Sequence, residues 1–471
     1  MVNSMLERAA PPIDEAAEAR GAVERAKLLL KYHAGEMRTQ QLRVQSGVLE
    51  QQVGLELIHR YLLGAQPHPS VPAGASPEVR RLAQMSRVNV LDLIISSVAQ
   101  AMYVDGYRGE READNAPAWD VWQDNRMDKR QSGIHRAALA YGAAYVTVLP
   151  GEPVPVIKGY SPRRMVALYG DDDDWPMMAM AIEPSGSKWA LSLFDETSRY
   201  RLTANAIDEG ATITFLESER HGAPVTPVVR YLNVVDLDED HQGEIERLIP
   251  LQDQIDETTF DLLVAQKYAA FRQRWVIGWT TASEDQKLKA SAARLWTFDD
   301  PDVKVGEFGQ TELKGYLDSR EASLRHAATI SQTPAHELIG QMVNLSAEAL
   351  VAAEASQRRK VTERQMSFGE SHEQMLALAG TLGGFDVVTS AQVRWRDTES
   401  RALAATVDAL GKMVTMLGVP ASALWERIPG VTQQDIERWE TAVQEGDVLS
   451  RFGDLLARQE NGGAPPDGET A

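Results

Sequence analysis

Apolar positions along this chain change their period several times, and each change predicts a change of element. From residue 14 to 64 they recur at helical spacing, with Leu28, Leu29 and Tyr32 on one face and Leu55, Ile58 and Leu62 on another. The run "GAQPHPSVPAGASP", Gly64–Pro77, predicts a loop. Residues 78–104 predict a helix whose buried stripe is Val90, Leu93, Ile94, Val98 and Met102. Helical stretches at Trp119–Asn125 and Gln131–Gly142 follow. At "AAYVTVLP" the pattern switches to alternation. Short alternating runs then continue to residue 235 with turn residues between them, which predicts an antiparallel β-rich block.

Helical period returns after Gly243. Phe260, Val264, Tyr268, Phe271 and Trp275 step by 4, 4, 3 and 4, one face of a long helix. Glu244 to Trp275 would span about 48 Å at about 1.5 Å per residue, with Pro250 kinking or restarting it near its start. The plain reading of such a stripe is a core-facing helix. Residues 276–308 are mixed: "WVIGW" and "VKVGEF" predict strands and "EDQKLKASAARLW" a short helix. A second long helix is predicted over Thr311–Ser331 and a third over Ser346–Thr381, joined through "GQMVNLS". "FDVVTSAQVRWRD" adds a strand, Glu399–Leu417, Pro420–Ile428 and Gln433–Glu445 add helices, and "NGGAPPDGETA" reads as a disordered tail. The expected fold class is α+β, mostly α. Its order is unusual: two long helices bracket a small α/β insert, and the second leads by a loop into a third.

Length and composition narrow the function. The 471 residues suffice for two to four domains or one large elongated subunit, and 43% hydrophobic residues allow a substantial core. Formal charge is 48 − 68 = −20. That disfavours a globally basic nucleic-acid binder, but not a protein past which nucleic acid must slide without sticking. With no cysteine, disulfides, thiolate metal sites and thiol catalysis are excluded. The N-terminal "MVNSMLERAAPPIDEAAEAR" has no basic segment followed by an apolar one, so no secretory signal is expected. The best apolar run, Val88–Val104, contains Asp92 and is too short to span a bilayer; a soluble protein with no membrane partner is expected.

Catalytic motifs are missing. There is no P-loop, no G-x-G-x-x-G after a strand, no G-x-S-x-G, and "HELIGQ" at His336 lacks a second His four residues on. The nine His form no spaced pair, and Asp236, Asp238 and Asp240 read as a solvated loop. Asp171–Asp174 in "GDDDDW" could be a metal cluster, but such a run is more often a solvated turn. No catalytic residue, no metal and no cofactor is expected. Two basic groups qualify as DNA contacts: Lys287, Lys289 and Arg294 in the insert, and Arg358, Arg359 and Lys360, with Arg364, along the third long helix. Taken singly, each is better explained as balancing nearby acids such as Glu354 and Glu363.

Five segments in order resemble portal proteins of tailed bacteriophages, in the gp6-like branch of long-tailed phages. They are "NVLDLIISSVAQAMYVDGYRG", a helix ending in a hydrophobic–Asp–Gly–aromatic turn; "AWDVWQDNRMDKRQSGIHRAALAYGAAYVTV", with a W-x-x-N-x-x-D core at Trp122, Asn125 and Asp128; "GYSPRRMVALYGDDDDWPMMAMAIE"; "TPVVRYLNVVDLDEDHQGEIERLIPLQDQIDETTFDLL"; and "VGEFGQTELKGYLDSREASLRHAATISQTPAHELIGQMVNLSAEAL". They cover about residues 50 to 400, and the set is more specific than any one of them.

The resemblance implies a ring, usually of twelve subunits, at one capsid vertex of the virion. Double-stranded DNA passes its channel in packaging and ejection. It implies a wing over residues 1–243, a stem helix over 244–278, a clip over 279–310 and a second stem helix over 311–335. A tunnel loop over 336–345 would follow, presenting Gly340, Gln341, Met342, Val343, Asn344 and Leu345 to the channel. A long wing helix and strand would occupy 346–397, a helical crown 398–450 and a disordered tail 451–471. Implied partners are the terminase large subunit, the head–tail connector or adaptor, and the major capsid and scaffolding proteins, with assembly in the host cytoplasm.

Two other readings stay open. One is a different α-rich phage structural protein, an adaptor or scaffold. The other is a metal-dependent nuclease using Asp171–Asp174. From local sequence alone "GQMVNLS" is a short buried linker; only its place between a stem-like helix and the third long helix makes it a moving, partly apolar channel surface.

Overall fold

The first helical stretch divides around a hairpin. In the computed structural model, α1 (Glu15–Met37) is followed by β1 (Gln40–Arg43) and β2 (Leu49–Gln52), which pair antiparallel, and then by α2 (Leu55–Leu62). The structure describes residues 15–38, 40–43, 49–109, 116–170, 174–208, 210–237, 242–270, 274–277, 304–307, 312–340, 347–387, 391–396, 403–428, 431, 435–436 and 438–443. The expected face of α1 is also corrected. Leu28 (51% exposed) and Tyr32 (47%) face outward, while Ala22, Ala26, Leu29, Leu30 and His33 are buried. That spacing is helical, but two of its members are alanines, and a search for large apolar residues overlooks them.

Two capped helices replace the single one expected over 78–104. Ser76 Oγ accepts from the Val79 N–H at 3.3 Å to start α3 (Pro77–Met85), and Asn89 Oδ1 accepts from Asp92 N–H at 3.2 Å to start α4 (Val90–Gln100). α4 buries Val90, Leu91, Ile94, Ile95 and Val98, whereas Leu93 is exposed. The "VDGY" segment is a strand and not a turn: β3 (Val104–Arg108) pairs antiparallel with β14 (Gln392–Trp395).

The W-x-x-N-x-x-D pattern shapes the corner between α5 (Ala116–Asp124) and α6 (Met127–Tyr141). Arg126 turns the chain at φ 52°. Trp122, fully buried, donates Nε1–H to Asp128 Oδ1 at 2.9 Å. Asn125 donates to the Val121 and Pro155 carbonyls at 2.9 and 2.8 Å and accepts the Ile157 N–H at 2.8 Å. Its amide thereby fastens the helical corner to the next strands.

Those strands form two antiparallel sheets. β4 (Ala143–Leu149) lies between β11 (Val228–Leu232) and β5 (Val156–Tyr160). The other sheet runs β10 (Ile213–Arg220), β9 (Ser198–Ala204), β8 (Lys188–Phe194), β7 (Met178–Ser185), β6 (Met165–Leu168). Period-two alternation sorts the second sheet's residues. Val166, Met180, Ile182, Leu191, Leu193 and Leu202 pack with α1, while Met165, Ala167, Ala179, Ala181 and Phe194 pack with Val228 of the other sheet. The outer strand β10 is largely exposed and carries Glu217 and Glu219 against Arg201 and Arg199 of β9, a charged edge that discourages further pairing.

α7 (Glu244–Ala270) is continuous through Pro250 and ends before Trp275, which belongs to β12 (Arg274–Ile277). The stripe expected to run on to Trp275 is therefore shorter. A Cβ at Gly243 would collide with the Ala140 carbonyl, so glycine lets the start of α7 touch the end of α6. β12 pairs antiparallel with β13 (Lys304–Glu307). The helix expected over 284–296 lies outside the described residues. α8 (Lys314–Ser331) packs back along α7, and a short α9 (Ala335–Ile339) precedes α10 (Ala347–Gly383). α11 (Leu403–Leu417) and a 3₁₀ turn, Ser422–Arg427, follow. Among the described residues no helix is long and apolar enough to cross a membrane. The molecule is α+β.

Candidate functional site

The joint between α8 and α10 is built by backbone caps. α8 ends on Gln332 in the left-handed region (φ 55°), and the Thr333 N–H returns to the Ala328 carbonyl at 3.0 Å. Pro334 then starts α9, whose five residues end on Gly340 at φ 71°, with its N–H on the His336 carbonyl at 2.9 Å. A left-handed residue in this place favours glycine. His336–Ile339 is therefore helix, a correction to the loop expected from residue 336. Gln341, Met342, Val343, Asn344 and Leu345 lie outside the described residues.

A shared hydroxyl ties α9 to its surroundings, beside the packing of Leu338 and Ile339 against the core. Ser97 Oγ of α4 donates to Glu337 Oε2 at 2.7 Å and accepts from Gln357 Nε2 of α10 at 2.5 Å. This relay is half-buried and links α9 to α4 and α10.

Below it sits a buried ionic cluster. Lys360 Nζ of α10 donates to the Ser331 carbonyl at the end of α8, at 2.9 Å, and lies 2.7 Å from Glu244 Oε2 at the start of α7. One turn on, Arg364 donates Nε–H to Asn233 Oδ1 at 2.8 Å and reaches Glu244 Oε1 at 3.4 Å. Asn233 Nδ2 also donates to Glu244 Oε1 at 3.3 Å. The charges suit the helix ends they meet: a carboxylate at the positive start of α7 and an ammonium at the negative end of α8. Burial alone would raise the Glu244 carboxyl, but the Lys360 and Arg364 charges hold it below the ordinary carboxylate value. Burial lowers the Lys360 ammonium against the pull of Glu244. Glu244, Lys360 and Arg364 thus fasten α7, α8 and α10 at one point.

The expected basic contacts divide. Lys360, 3% exposed, is committed to Glu244 and Ser331, so its reading as a DNA contact is corrected. Arg358 pairs with Glu354 at 3.2 Å, and Arg364 also pairs with Glu363 at 3.0 Å. Arg359 is exposed. Lys287, Lys289 and Arg294 lie outside the described residues, as do Asp171 to Asp173. Among the described residues no group of three or more His, Asp or Glu could hold a metal ion.

A second cluster escaped the sequence reading. His135 of α6 and His372 of α10, 237 residues apart, meet Nε2 to Nε2 at 2.9 Å, and the Tyr231 hydroxyl lies 2.9 Å from His372 Nδ1. Trp122 packs edge-on against His372 and Phe368 stacks on His135. Burial pushes His135 down to about 4; burial, then the nearby His135, pushes His372 well below its ordinary value. Both signals were available on α10 itself. Lys360, Arg364, Phe368, His372, Met375 and Ala379 advance by steps of 4, 4, 4, 3 and 4, so the polar members share the apolar stripe.

Comparison with known proteins adds four findings. The family described as "Phage portal protein, SPP1 Gp6-like" matches residues 25–447. The chain is similar to the portal protein of Mycobacterium phage D29, 26% identical over 368 residues, covering 72% of this chain and 75% of that protein. It is likewise similar to the portal protein of Mycobacterium phage L5, 24% identical over 366 residues, covering 70% and 72%. Among solved structures it is similar to a chain from the neck of an empty gene transfer agent particle computed with C6 symmetry, at 12% identity and a TM-score of 0.47, covering 83% of this chain and 94% of that one.

Proposed function

The chain belongs to the SPP1 Gp6-like family of phage portal proteins, and we propose that it forms the ring at one capsid vertex through which double-stranded DNA is packaged and ejected. The observation that carries this reading is the common anchorage of α7, α8 and α10 at Glu244, Lys360 and Arg364. Two antiparallel long helices held at one end carry the β12–β13 pair about 40 Å away along α7, at about 1.5 Å per residue. In this reading α7 and α8 are the stem, the β12–β13 pair begins the clip, and the α-helices and two sheets before Glu244 are the wing. The far part of α10 completes the wing, and α11 with the residues after it is the crown.

The tunnel loop of this reading runs from Gly340 to Ser346, with α9 as its rigid shoulder. The clip would dock the terminase large subunit and then the head–tail connector, and the wing would meet capsid and scaffolding proteins. Twelve copies at −20 would carry 12 × −20 = −240 before counterions, which would repel DNA on average and favour sliding over sticking. Of the basic candidates, Arg358, Arg359, Lys287, Lys289 and Arg294 are those we retain for a phosphate backbone. The function requires no cofactor and no catalytic step in this chain.

Native mass spectrometry or negative-stain imaging of the purified protein tests the assembly. Rings of about twelve subunits with a central hole are expected from a closed head-to-tail interface. A protein that stays monomeric at every concentration, and with capsid protein present, overturns the reading. The joint is tested separately by Gly340→Pro combined with Asn344→Pro. Proline cannot adopt the positive φ of Gly340, so packaging should fall while rings still form. Normal packaging by this variant would show that the loop is not a moving part.

A further inference from the structure

A cavity of about 650 Å³ opens between α1, the end of β6 and α10, on the side of α10 away from the joint. Four carboxylates line it: Glu36 of α1, Asp174, Asp236, and Glu370 of α10. Among the described lining residues one guanidinium, that of Arg230, lies over the Tyr169 ring, 3.8 Å from the centroid. Tyr32, Tyr145 and Tyr169 add phenolic rings to the wall, beside Leu168, Leu232 and Val235.

Two groups in this wall lack what they need. The Tyr169 hydroxyl is buried and has no hydrogen-bond partner among the described residues. A buried hydroxyl left in this way is costly, and a guest that can donate to it relieves the cost. Glu36 shares a hydrogen bond with the Tyr32 hydroxyl and pairs with no cation among the described residues, and burial pushes its carboxyl up to about 7. A carboxylate held in a cavity without a counterion is stabilised by any cation that enters.

The lining also selects the kind of cation. The described carboxylates do not converge as metal ligands; they are spread around a chamber whose wall also presents tyrosine rings and the aliphatic side chains of Leu168, Leu232 and Val235. An ammonium group on an aliphatic chain matches both features. Its three N–H donors can meet the Glu36 carboxylate, the Tyr169 hydroxyl and a rim carboxylate, while its methylenes and charge lie against the rings. We propose that this cavity binds a primary alkylammonium group, supplied by a free linear polyamine or by a lysine side chain of a partner protein.

Spermidine is the probe, titrated calorimetrically into the full-length protein in its assembled state at low salt. Saturable binding is expected, weakened about tenfold by Glu36→Gln and by Tyr169→Phe, and weakened again by added salt. Tyr169→Phe keeps the ring under Arg230 and removes only the hydroxyl, so loss of binding in that variant does not reflect misfolding. The two sources are separated by carbodiimide cross-linking and mass spectrometry. An amide between a lysine and Glu36 or Glu370, suppressed by spermidine, identifies a protein lysine as the occupant; saturable spermidine binding without such an amide identifies the free polyamine. Spermidine binding that neither substitution changes would be no more than counterion attraction to an acidic protein and overturns the proposal. Absence of both binding and cross-link overturns it equally.

Discussion

Arg359 and Lys360 are neighbours on α10, yet Arg359 stands exposed and Lys360 is buried against Glu244 and the Ser331 carbonyl. The contrast extends along the helix. From Lys360 onward one face is continuously buried, through Arg364, Phe368, His372, Met375 and Ala379. Before Lys360 the described residues are exposed or half-buried, and Ser97 bridging Gln357 to Glu337 is the polar tie. One helix is thus core for most of its length and surface where it approaches the joint. Residues of one chemical type take opposite roles because each helical position turns the side chain by about 100°.

The largest effect should come from the clamp. Lys360→Ala leaves Glu244 buried with one cation fewer and should cost about 3–5 kcal/mol, read as a fall in the denaturation midpoint. A loss below about 1 kcal/mol would mean that the two ends of α10 are held alike.

Acid should then act on the buried half. His135 and His372 are neutral in the core and take up protons freely when unfolded. Stability is therefore complete above about pH 6.5 and is lost as pH falls through the folded value of His135, about 4. For His135 alone the loss is about 3 kcal/mol. Glu244, held low, adds to the loss only below its unfolded value of 4.5. Glu36 acts in the opposite sense. Its carboxyl, raised from 4.5 to about 7, favours the fold below 4.5, and that contribution fades as pH rises through 7. The measurement, denaturation midpoint against pH, is best made in the Glu36→Gln background; a flat profile between pH 6.5 and 4 would break the description of this half as dry core.

A smaller change is expected at the joint. Ser97→Ala removes the hydroxyl shared by Glu337 and Gln357 and should cost about 1 kcal/mol. Hydrogen exchange should rise in α9 and the start of α10, leaving residues 361–383 protected. Exchange rising equally in both would erase the contrast. The smallest effect is expected for Arg359→Ala, within about 0.5 kcal/mol by thermal unfolding. If that residue touches DNA, packaging efficiency should change while stability does not.

Much of this architecture can be read from residue patterns. Short apolar runs between turn residues over 143–235 mark the strands of both sheets because successive side chains point to opposite faces of a sheet. Helical period after Gly243, broken by a short mixed insert, marks α7 and α8 on either side of the β12–β13 pair. Among the local readings that fail, three have identifiable reasons. α1 buries Ala22 and Ala26 beside Leu29 and Leu30, so a search for large apolar residues misplaces its buried face and takes in the exposed Leu28 and Tyr32. The single helix expected over 78–104 stops at Met85 and restarts because Asn89 caps a new helix, and a capping residue looks like an ordinary polar one inside a periodic run. Trp275 continues the α7 stripe by spacing alone, but it lies in a strand paired with β13.

What the linear order of residues determines here is the set of elements, their sequence and the family to which the chain belongs, because period, caps and motif spacing are local properties. The buried clusters are a different matter. Glu244 and Lys360 are far apart in the chain, as are His135 and His372, and the carboxylates of the cavity come from α1, two loops and α10. Only packing brings them together, and only burial decides that Lys360 is a clamp and Arg359 a surface charge. The cost of desolvating a charge depends on its surroundings and not on its neighbours in sequence.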